Sequence, residues 1–342
     1  MNLLYVGRFA PDEYSQIPDE SLVQKGFCDT KFVYLGYFNS EEGYWGTPNE
    51  FFIKKQLKRS GNTITILSKN NIWDLKKVVD KVNPDVILFS FLGNIDYKRL
   101  KDVLSATPAK KVMWTFDWMF LERRLPLFLK QGKLMDLVVT TEDVVDWSHY
   151  GLNHTCIRQG VDKALHKKVA FSKRYANDLV FVGNVYNKER VNFLRKVANK
   201  YQLKVYGNNC SSDLENGGRV FNDDLCKVYS SCKIALGDNS QSVNDGYWSN
   251  RVYLALGCGA FFLTPYVKGL EEEFENYKHL VWYKTEDEMF YLIDRFLKDE
   301  KKRKQIALNG YEFVHKNYSY EKRTKKLIKE IEKLGIGDNL LH

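Results

Sequence analysis

Three short apolar runs constrain the fold of this chain more than any other feature. They are DVILFSF at residues 85–91, KVMWTF at residues 111–116 and LVVTT at residues 137–141. Continuous apolar runs of this length are typical of strands that are buried on both faces. Strands that alternate with helices form parallel sheets joined by right-handed crossovers. The sequence therefore predicts an α/β protein built on parallel sheets.

The alternation of strands and helices occurs twice along the chain. In the first half the pattern predicts further strands at 3–6, 31–37 and 63–67 and helices at 48–61 and 72–82. In the second half it predicts strands at 179–182, 203–206 and 234–237 and helices at 188–200 and 223–232. The polar segment at 158–173 interrupts the alternation, and we interpret it as a linker. A chain of 342 residues commonly forms two domains, here 1–165 and 166–315.

Composition excludes several classes of protein. An apolar content of 44% excludes a disordered chain, and the apolar runs are too short to span a membrane. The first residues lack the pattern of a secretory signal peptide. The six cysteines contain no CxxC pair, which favours a reduced, cytoplasmic location and makes a zinc site improbable. The six histidines do not have the spacing of metal ligands. The sequence contains no P-loop, GxSxG or HExxH motif that would indicate another catalytic centre.

The net charge of +9 is concentrated near the C-terminus. Residues 298–330 contain eleven Lys or Arg and five Asp or Glu. Such a segment is usually a solvated helix face, and the alternative is contact with nucleic acid or an anionic surface. No motif of a dedicated nucleic-acid-binding module accompanies it.

One segment, YWSNRVYLALGCGAFFLTPYVKGLEEEF at residues 247–274, carries the strongest functional signal. It reads as a polar loop, a short helix, a Gly-rich turn, an apolar strand and an acidic helix. The start of a helix leaves backbone N–H groups without partners, and Arg251 in its first turn can add a charged fork for phosphate. The alternative is an ordinary helix–turn–strand with no ligand.

This segment resembles the donor site of GT-B glycosyltransferases, most closely the CgeB-type (spore-maturation-protein-like) group. Arg251 and Tyr253, followed by Gly257, Cys258 and Gly259, match the Arg-x-aromatic and Gly-x-Gly pattern of that group. The resemblance covers about residues 135–330 and includes FVGNVYNKERVNFL at 181–194. It implies two Rossmann-like domains with parallel sheets facing across a cleft, with the acceptor domain at 1–165 and the donor domain at 166–315. It also implies a C-terminal helix, within 316–342, that packs back on the N-terminal domain.

Ligands of parallel α/β sheets bind beyond the carboxyl ends of the strands. This rule selects Gly7 after the first strand and Gly183 and Asn184 after the strand at 179–182. Lys188 and Arg190 follow at a helix start, where related glycosyltransferases place a basic residue on the donor diphosphate. The alternative for Lys188 and Arg190 is a solvated helix surface.

The polar loop before Arg251 supplies the remaining donor-site candidates. Tyr247 and Trp248 are placed to stack on a nucleotide base or to pack in the core. Asp245 and Asn244 are placed to bind a sugar hydroxyl or simply to form a turn. The donor site also includes the two polar residues directly before the helix, Ser249 and Asn250.

The sequence departs from the retaining GT-B pattern at one place. These enzymes typically have a glutamate soon after the arginine, which binds the ribose diol, but here Leu254 occupies that position. The same enzymes typically have a second acidic residue eight positions before that glutamate, and here Gly246 occupies that position. Donor binding then uses other groups, or the donor differs, or the domain has lost transfer activity.

Asp117 is the predicted catalytic residue. It follows the apolar run at 111–116, and the CgeB-type group often has an aspartate there. An ionised carboxylate at this position can accept a proton from the acceptor if the sugar is inverted, or position the donor if it is retained. The alternative is an N-cap for a helix beginning near Leu121.

The sequence thus predicts a metal-independent, cytoplasmic glycosyltransferase that uses a UDP- or GDP-sugar and needs no other cofactor. The acceptor is a glycan, a protein, a small molecule or a modified DNA base. The alternative is a non-catalytic GT-B-like protein that binds a nucleotide or sugar or serves a structural role, which Leu254 supports. A nucleotide-sugar epimerase is disfavoured because only Gly7 follows the first strand, without a GxGxxG turn.

Overall fold

The computed structural model describes residues 4–6, 31–36, 49–68, 73–117, 119, 123–185, 187–238 and 245–335. The chain divides into two compact units. The first comprises the chain up to Arg158 together with the chain from Tyr320 onward, and the second comprises Gln159–Ser319. Both units are α/β with a wholly parallel sheet, as the sequence predicts.

The first unit contains a seven-stranded sheet and its crossover helices. The strands are β1 Leu4–Val6, β2 Lys31–Gly36, β3 Thr63–Ser68, β4 Val86–Ser90, β5 Lys110–Trp114, β6 Leu137–Thr140 and β7 His154–Cys156. The helices are α1 Asn49–Arg59, α2 Leu75–Val82, α3 Tyr97–Ser105 and α4 Leu125–Gly132. The strand order is β1-β3-β2-β4-β5-β6-β7, and β1 also pairs with β2.

The three apolar runs form the centre of this sheet. Every residue of β4 and β6 is buried, as are the last three of β5. The pattern did not predict α3. Asp96 is the N-cap of this helix, and its carboxylate accepts a hydrogen bond from the Arg99 N–H at 3.1 Å. This short helix buries only three apolar residues, which is too weak a periodic signal to stand out in the sequence.

The second unit contains a five-stranded sheet. The strands are β8 Asn177–Val182, β9 Leu203–Tyr206, β10 Cys232–Leu236, β11 Phe262–Pro265 and β12 Val281–Tyr283. The helices are α5 Lys188–Ala198, α6 Asn222–Ser231, α7 Arg251–Gly257, α8 Leu270–Glu273, α9 Glu286–Lys298 and α10 Glu300–Asn317. The strand order is β12-β11-β10-β8-β9, so the chain moves from β8 to β9 on one side and then crosses to β10 on the other.

The predicted linker at 158–173 is in part tightly packed structure. Val161 is fully buried in the core of the second unit, and its N–H donates to the carbonyl of Tyr318 at 2.9 Å. Val161 also forms a parallel bridge with Ser319. Residues 159–165 and 316–319 therefore belong to the second unit, whereas the predicted boundaries fall at 165/166 and 315/316.

The last described helix, α11 Tyr320–Glu332, belongs to the first unit, in agreement with the predicted return of the chain. It packs on α1, where the rings of Phe52 and Tyr320 stack with centroids 4.9 Å apart. The Tyr320 hydroxyl also hydrogen-bonds to Asn49. Leu327 and Ile331 continue the apolar contact face of α11 and are fully buried.

None of the helices in the described ranges combines the length and the apolar character that a membrane span requires.

We expect Tyr320→Ala to destabilise the protein because it removes a ring that is 1% exposed and leaves a cavity against α1. The free energy of unfolding should fall by about 3–5 kcal/mol. Tyr291→Ala is the matched control, since the Tyr291 side chain is 63% exposed. Denaturant titration of both variants checks this, and equal stability of the two would contradict the proposed anchoring of α11.

Candidate functional site

The carboxyl ends of β8 and β10 form the topological switch point of the second unit. These two strands are neighbours, yet the chain leaves β8 toward one side of the sheet and β10 toward the other. Such a switch point leaves a crevice at the strand ends, where ligands of α/β sheets bind. The loops at this point contain Gly183 and Asn184 after β8 and Gly237 and Asp238 after β10.

Arg190 of α5 and Asp238 form a buried ion pair at this point. The Nε of Arg190 donates to Oδ2 of Asp238 at 2.6 Å, and each side chain is only 9% exposed. The Nη1 of Arg190 donates to the carbonyl of Asn184 at 2.7 Å. Asn187 caps α5 by accepting the N–H of Arg190 at 2.9 Å. The hypothesis that Arg190 lies on a solvated helix surface is therefore wrong.

Arg251, the first residue of α7, lies beside this pair. Its Nε donates to the carbonyl of Val182 at 2.6 Å and its Nη1 to the carbonyl of Asp238 at 3.1 Å. The guanidinium also stacks over the ring of Phe181, 4.6 Å from the centroid. Burial, and then the nearby charge of Arg190, lower the pKa of Arg251. Because an arginine has a pKa far above 7, the group remains a cation despite this shift.

Glycines at the strand ends leave room for the guanidinium. A Cβ on Gly183 would lie 2.4 Å from Nη2 of Arg251. A Cβ on Gly207, after β9, would lie 2.1 Å from the Gly183 carbonyl oxygen, and one on Gly237 would lie 2.4 Å from Thr264. A side chain at Gly183 would therefore displace the Arg251 guanidinium, and side chains at Gly207 and Gly237 would displace the Gly183 backbone and Thr264.

The start of α7 differs from the sequence-based expectation. The N–H of Arg251 donates to Oγ of Ser249 at 3.3 Å, and the N–H of Val252 donates to the Ser249 carbonyl at 3.1 Å. The N–H of Leu254 donates to the carbonyl of Asn250 at 3.1 Å. These amides are satisfied within their own turn, so Ser249 and Asn250 shape the helix start. The contribution of α7 to a ligand site therefore rests on the Arg251 side chain.

The other loop candidates take different positions. Trp248 is buried, and its Nε1 donates to the hydroxyl of Tyr253 at 3.0 Å, so it belongs to the core instead of facing a base. Tyr247 is half-buried. Asp245 is exposed and lies 3.5 Å from Nζ of Lys268. Lys188 is exposed at the first position of α5.

Two of the predicted residues, Gly7 and Asn244, lie outside the described residues.

Asp117 lies in the first unit, beyond the carboxyl end of β5. Its side chain is 63% exposed, and Oδ2 lies 3.4 Å from Nη1 of Arg124. The alternative, that it caps a helix beginning near Leu121, falls on residues outside the described ranges, and the next described helix, α4, begins at Leu125 with Arg124 in the N-cap position. An exposed carboxylate with one basic neighbour remains compatible with a role in proton transfer.

Sequence reasoning missed Asp238. The rule that ligands bind beyond the carboxyl ends of strands selects the loop that contains Asp238. Nothing in the local sequence pattern, however, distinguishes this aspartate from an ordinary turn residue. Its partner Arg190 is 48 positions earlier in the chain. Leu254, at the position where related enzymes have a glutamate, is half-buried and packs against the apolar core.

Comparison with known proteins agrees with this architecture. Residues 188–329 match the family described as glycosyl transferase-like. The UDP- and glucose-bound structure of Alr3699/HepE from Anabaena has a TM-score of 0.61 at 13% identity, with 88% of this chain and 91% of that chain covered. The chain has the GT-B fold. No curated protein sequence matches it.

Two further GT-B structures are similar over most of the chain. Sucrose-phosphate synthase from Thermosynechococcus elongatus has a TM-score of 0.62 at 13% identity, with 90% of this chain and 88% of that chain covered. A glycosyltransferase from Rickettsia africae has a TM-score of 0.60 at 12% identity, with 90% and 91% covered. Identities this low establish the GT-B fold of the chain, while its chemistry has to be argued from its own residues.

We expect Asp238→Asn to destabilise the second unit, because it leaves the buried charge of Arg190 without its carboxylate. The free energy of unfolding should fall by about 3–5 kcal/mol. Asp213→Asn is the control, since Asp213 pairs with Arg195 at the same 2.6 Å but both side chains are nearly half exposed. Solvent screens the exposed pair, so its loss should cost far less. If denaturant titrations showed a similar loss of unfolding free energy for both variants, the burial of the Arg190–Asp238 ion pair would be contradicted.

Proposed function

We propose that this protein is a CgeB-type glycosyltransferase that moves a sugar from a nucleotide-sugar donor to an acceptor. The observation that carries the proposal is the pair of guanidinium groups, Arg190 and Arg251, at the switch point of the second unit. The glycosyl transferase-like match at 188–329 includes both residues. A nucleotide-sugar donor carries a diphosphate, and guanidinium groups bind phosphate through paired, charge-assisted hydrogen bonds.

The two arginines contribute differently to the site. Asp238 neutralises Arg190, whereas Arg251 donates to the carbonyl oxygens of Val182 and Asp238. The three side chains together therefore retain one positive charge, which belongs to Arg251. We assign the main diphosphate contact to Arg251, and we assign to Arg190 the shaping of the loop through Asn184.

This arrangement favours the transition state of sugar transfer. As the glycosidic bond breaks, negative charge develops on the leaving diphosphate. A cation that is already fixed by carbonyl groups and by Phe181 stabilises that charge without reorganising. Gly183, Asn184, Lys188 and the loop residues Asp245 and Tyr247 complete the proposed donor site. Because the guanidinium groups supply the positive charge, the proposed reaction needs no metal ion and no cofactor besides the nucleotide sugar.

The donor is proposed to be a UDP- or GDP-sugar. The HepE structures contain UDP, UDP with glucose, or UDP-glucose, which makes UDP-glucose the first donor to test. Leu254 removes the carboxylate that would bind the ribose diol, so recognition of the nucleoside must use other groups. The five cysteines in the described residues are free thiols, which fits the proposed cytoplasmic location.

The acceptor is proposed to bind the first unit, with Asp117 as the group that accepts its proton or positions the donor. It is a glycan, a protein, a small molecule or a modified DNA base. The basic segment 298–330 is divided between the two units, because the chain enters the first unit at Tyr320. Two ion pairs within helices involve its lysines, Lys304 with Glu300 and Lys325 with Glu321. This pairing weakens the case for a nucleic-acid or anionic-surface partner.

The second candidate function is a non-catalytic protein that binds a nucleotide or a sugar. Leu254 favours it, because a lost ribose contact is one way in which transfer activity disappears. Thermal stabilisation by nucleoside diphosphates, followed by an assay of sugar transfer and slow hydrolysis, separates the two functions. Stabilisation without any turnover of UDP- or GDP-sugars would favour the binding role.

We expect Arg251→Ala and Arg190→Ala each to lower kcat/KM by about tenfold to a thousandfold. Arg195→Ala is the control, because Arg195 lies on the same helix as Arg190 but pairs with Asp213 at the surface. Steady-state kinetics are measured below the unfolding temperature of each variant. Unchanged kinetics in both site variants would show that the diphosphate lies elsewhere.

We expect turnover to persist when divalent metals are removed with EDTA, because guanidinium groups stabilise the leaving diphosphate. Complete loss of activity with EDTA, restored by Mg²⁺ or Mn²⁺, would disprove metal independence while leaving the fold assignment intact.

A further inference from the structure

A second polar cavity lies at the edge of the sheet in the second unit, away from the switch point. It has a volume of about 350 Å³. Its lining includes Arg174, Lys204, Arg219, Asn216 and Asp224. Strand β9, which carries Lys204, is on the opposite side of β8 from β10. The cavity is therefore separate from the cluster formed by Arg190, Asp238 and Arg251.

The edge of the sheet builds one wall of this cavity. The segment after β9 returns along that strand, where the N–H of Val205 donates to the Glu215 carbonyl at 2.9 Å and the N–H of Gly217 donates to the Val205 carbonyl at 2.8 Å. Gly217 lies against the ring of Tyr206, where a Cβ would be 2.2 Å from a ring carbon. The wall is thus held by backbone hydrogen bonds and close packing.

The cavity has an excess of positive charge. Three cationic side chains line it against the single carboxylate of Asp224. Just outside the lining, Glu215 pairs with Lys204 at 2.8 Å and Lys227 pairs with Asp224 at 3.0 Å. The negative charge of Glu215 and the positive charge of Lys227 offset one another, so the excess of positive charge in the lining remains. The hydrogen bond with Glu215 raises the pKa of Lys204, and the hydrogen bond with Lys227 lowers the pKa of Asp224. Both groups are consequently charged at neutral pH.

Two of the cations are held against aromatic rings. The guanidinium of Arg174 lies 5.3 Å from the ring centroid of Tyr175, and that of Arg219 lies 4.8 Å from the ring centroid of Phe221. Within the described part of the chain, Arg174 has no carboxylate in ion-pair contact. Stacking on the Tyr175 ring restricts the guanidinium plane of Arg174 while leaving its N–H edge available to an anion.

We propose that this cavity binds a phosphate monoester that also carries hydroxyl groups, as a sugar phosphate does. The cations fit the phosphate, because guanidinium groups bind phosphate oxygens in pairs. The volume is at the lower end of the range for small-molecule sites and exceeds what a phosphate group alone would fill. Asp224 and Asn216 provide oxygen acceptors for the hydroxyl groups of such a ligand. The proposal does not depend on the donor site.

The test is calorimetric titration of the full chain with a hexose 6-phosphate, with inorganic phosphate and the unphosphorylated hexose as comparison ligands. We expect saturable binding of the hexose 6-phosphate, weaker binding of inorganic phosphate and no detectable binding of the free hexose. Arg174→Gln and Arg219→Gln should each weaken the binding by about tenfold, the value of one charge-assisted hydrogen bond.

Two control variants make the result specific. Arg195→Gln removes an exposed arginine that pairs with Asp213 outside the cavity, and it should leave the affinity unchanged. Arg251→Ala removes the cation of the donor site, and it should also leave the affinity unchanged. The proposal is overturned if the hexose 6-phosphate does not bind, if both cavity variants bind as tightly as the unmodified protein, or if only Arg251→Ala abolishes binding. Thermal unfolding of each variant confirms that it is folded.

Discussion

Parallel pairing is the constraint from which the rest of this molecule follows. All strand pairs in the described sheets are parallel, so each connection must cross over the sheet, and all strand ends of one kind meet at one edge. In the second unit the first connection runs to β9 and a later one crosses to β10. That reversal brings the loops after β8 and β10 together. Arg190, Asp238 and Arg251 meet there, although they belong to distant parts of the sequence.

The chemistry of this site depends on how each cation is held. Arg190 is fixed by a carboxylate, which cancels its charge, and Arg251 is fixed by carbonyl oxygens and the face of Phe181, which do not. A fixed cation of this kind is suited to charge that appears during a reaction, because it needs no rearrangement. The exposed cations, such as Lys188, are screened by water and contribute less.

The GT-B fold and the activity of the protein are separate conclusions. Similar structures establish the fold, and many functions use the same architecture. The arginines and the glycine clearance at Gly183 favour sugar transfer. Leu254 opposes the usual mode of ribose recognition, so the proposed function requires that the nucleoside be bound through other groups. The proposed phosphate monoester at the edge of β9 would be a second anionic ligand of the same unit.

The sequence by itself determined the parallel α/β architecture, because short continuous apolar runs that alternate with helical patterns are typical of strands buried on both faces. It also selected Arg190 and Arg251 as candidates, because each lies in the first turn of a helix within the segments that resemble the donor site of GT-B glycosyltransferases. Only the tertiary structure decided that Trp248 is a core residue, that residues near Val161 are packed instead of forming a loose linker, and that Asp238 is the partner of Arg190. Local spacing governs strands and helices, whereas a contact across 48 positions depends on the crossover that brings its two loops together.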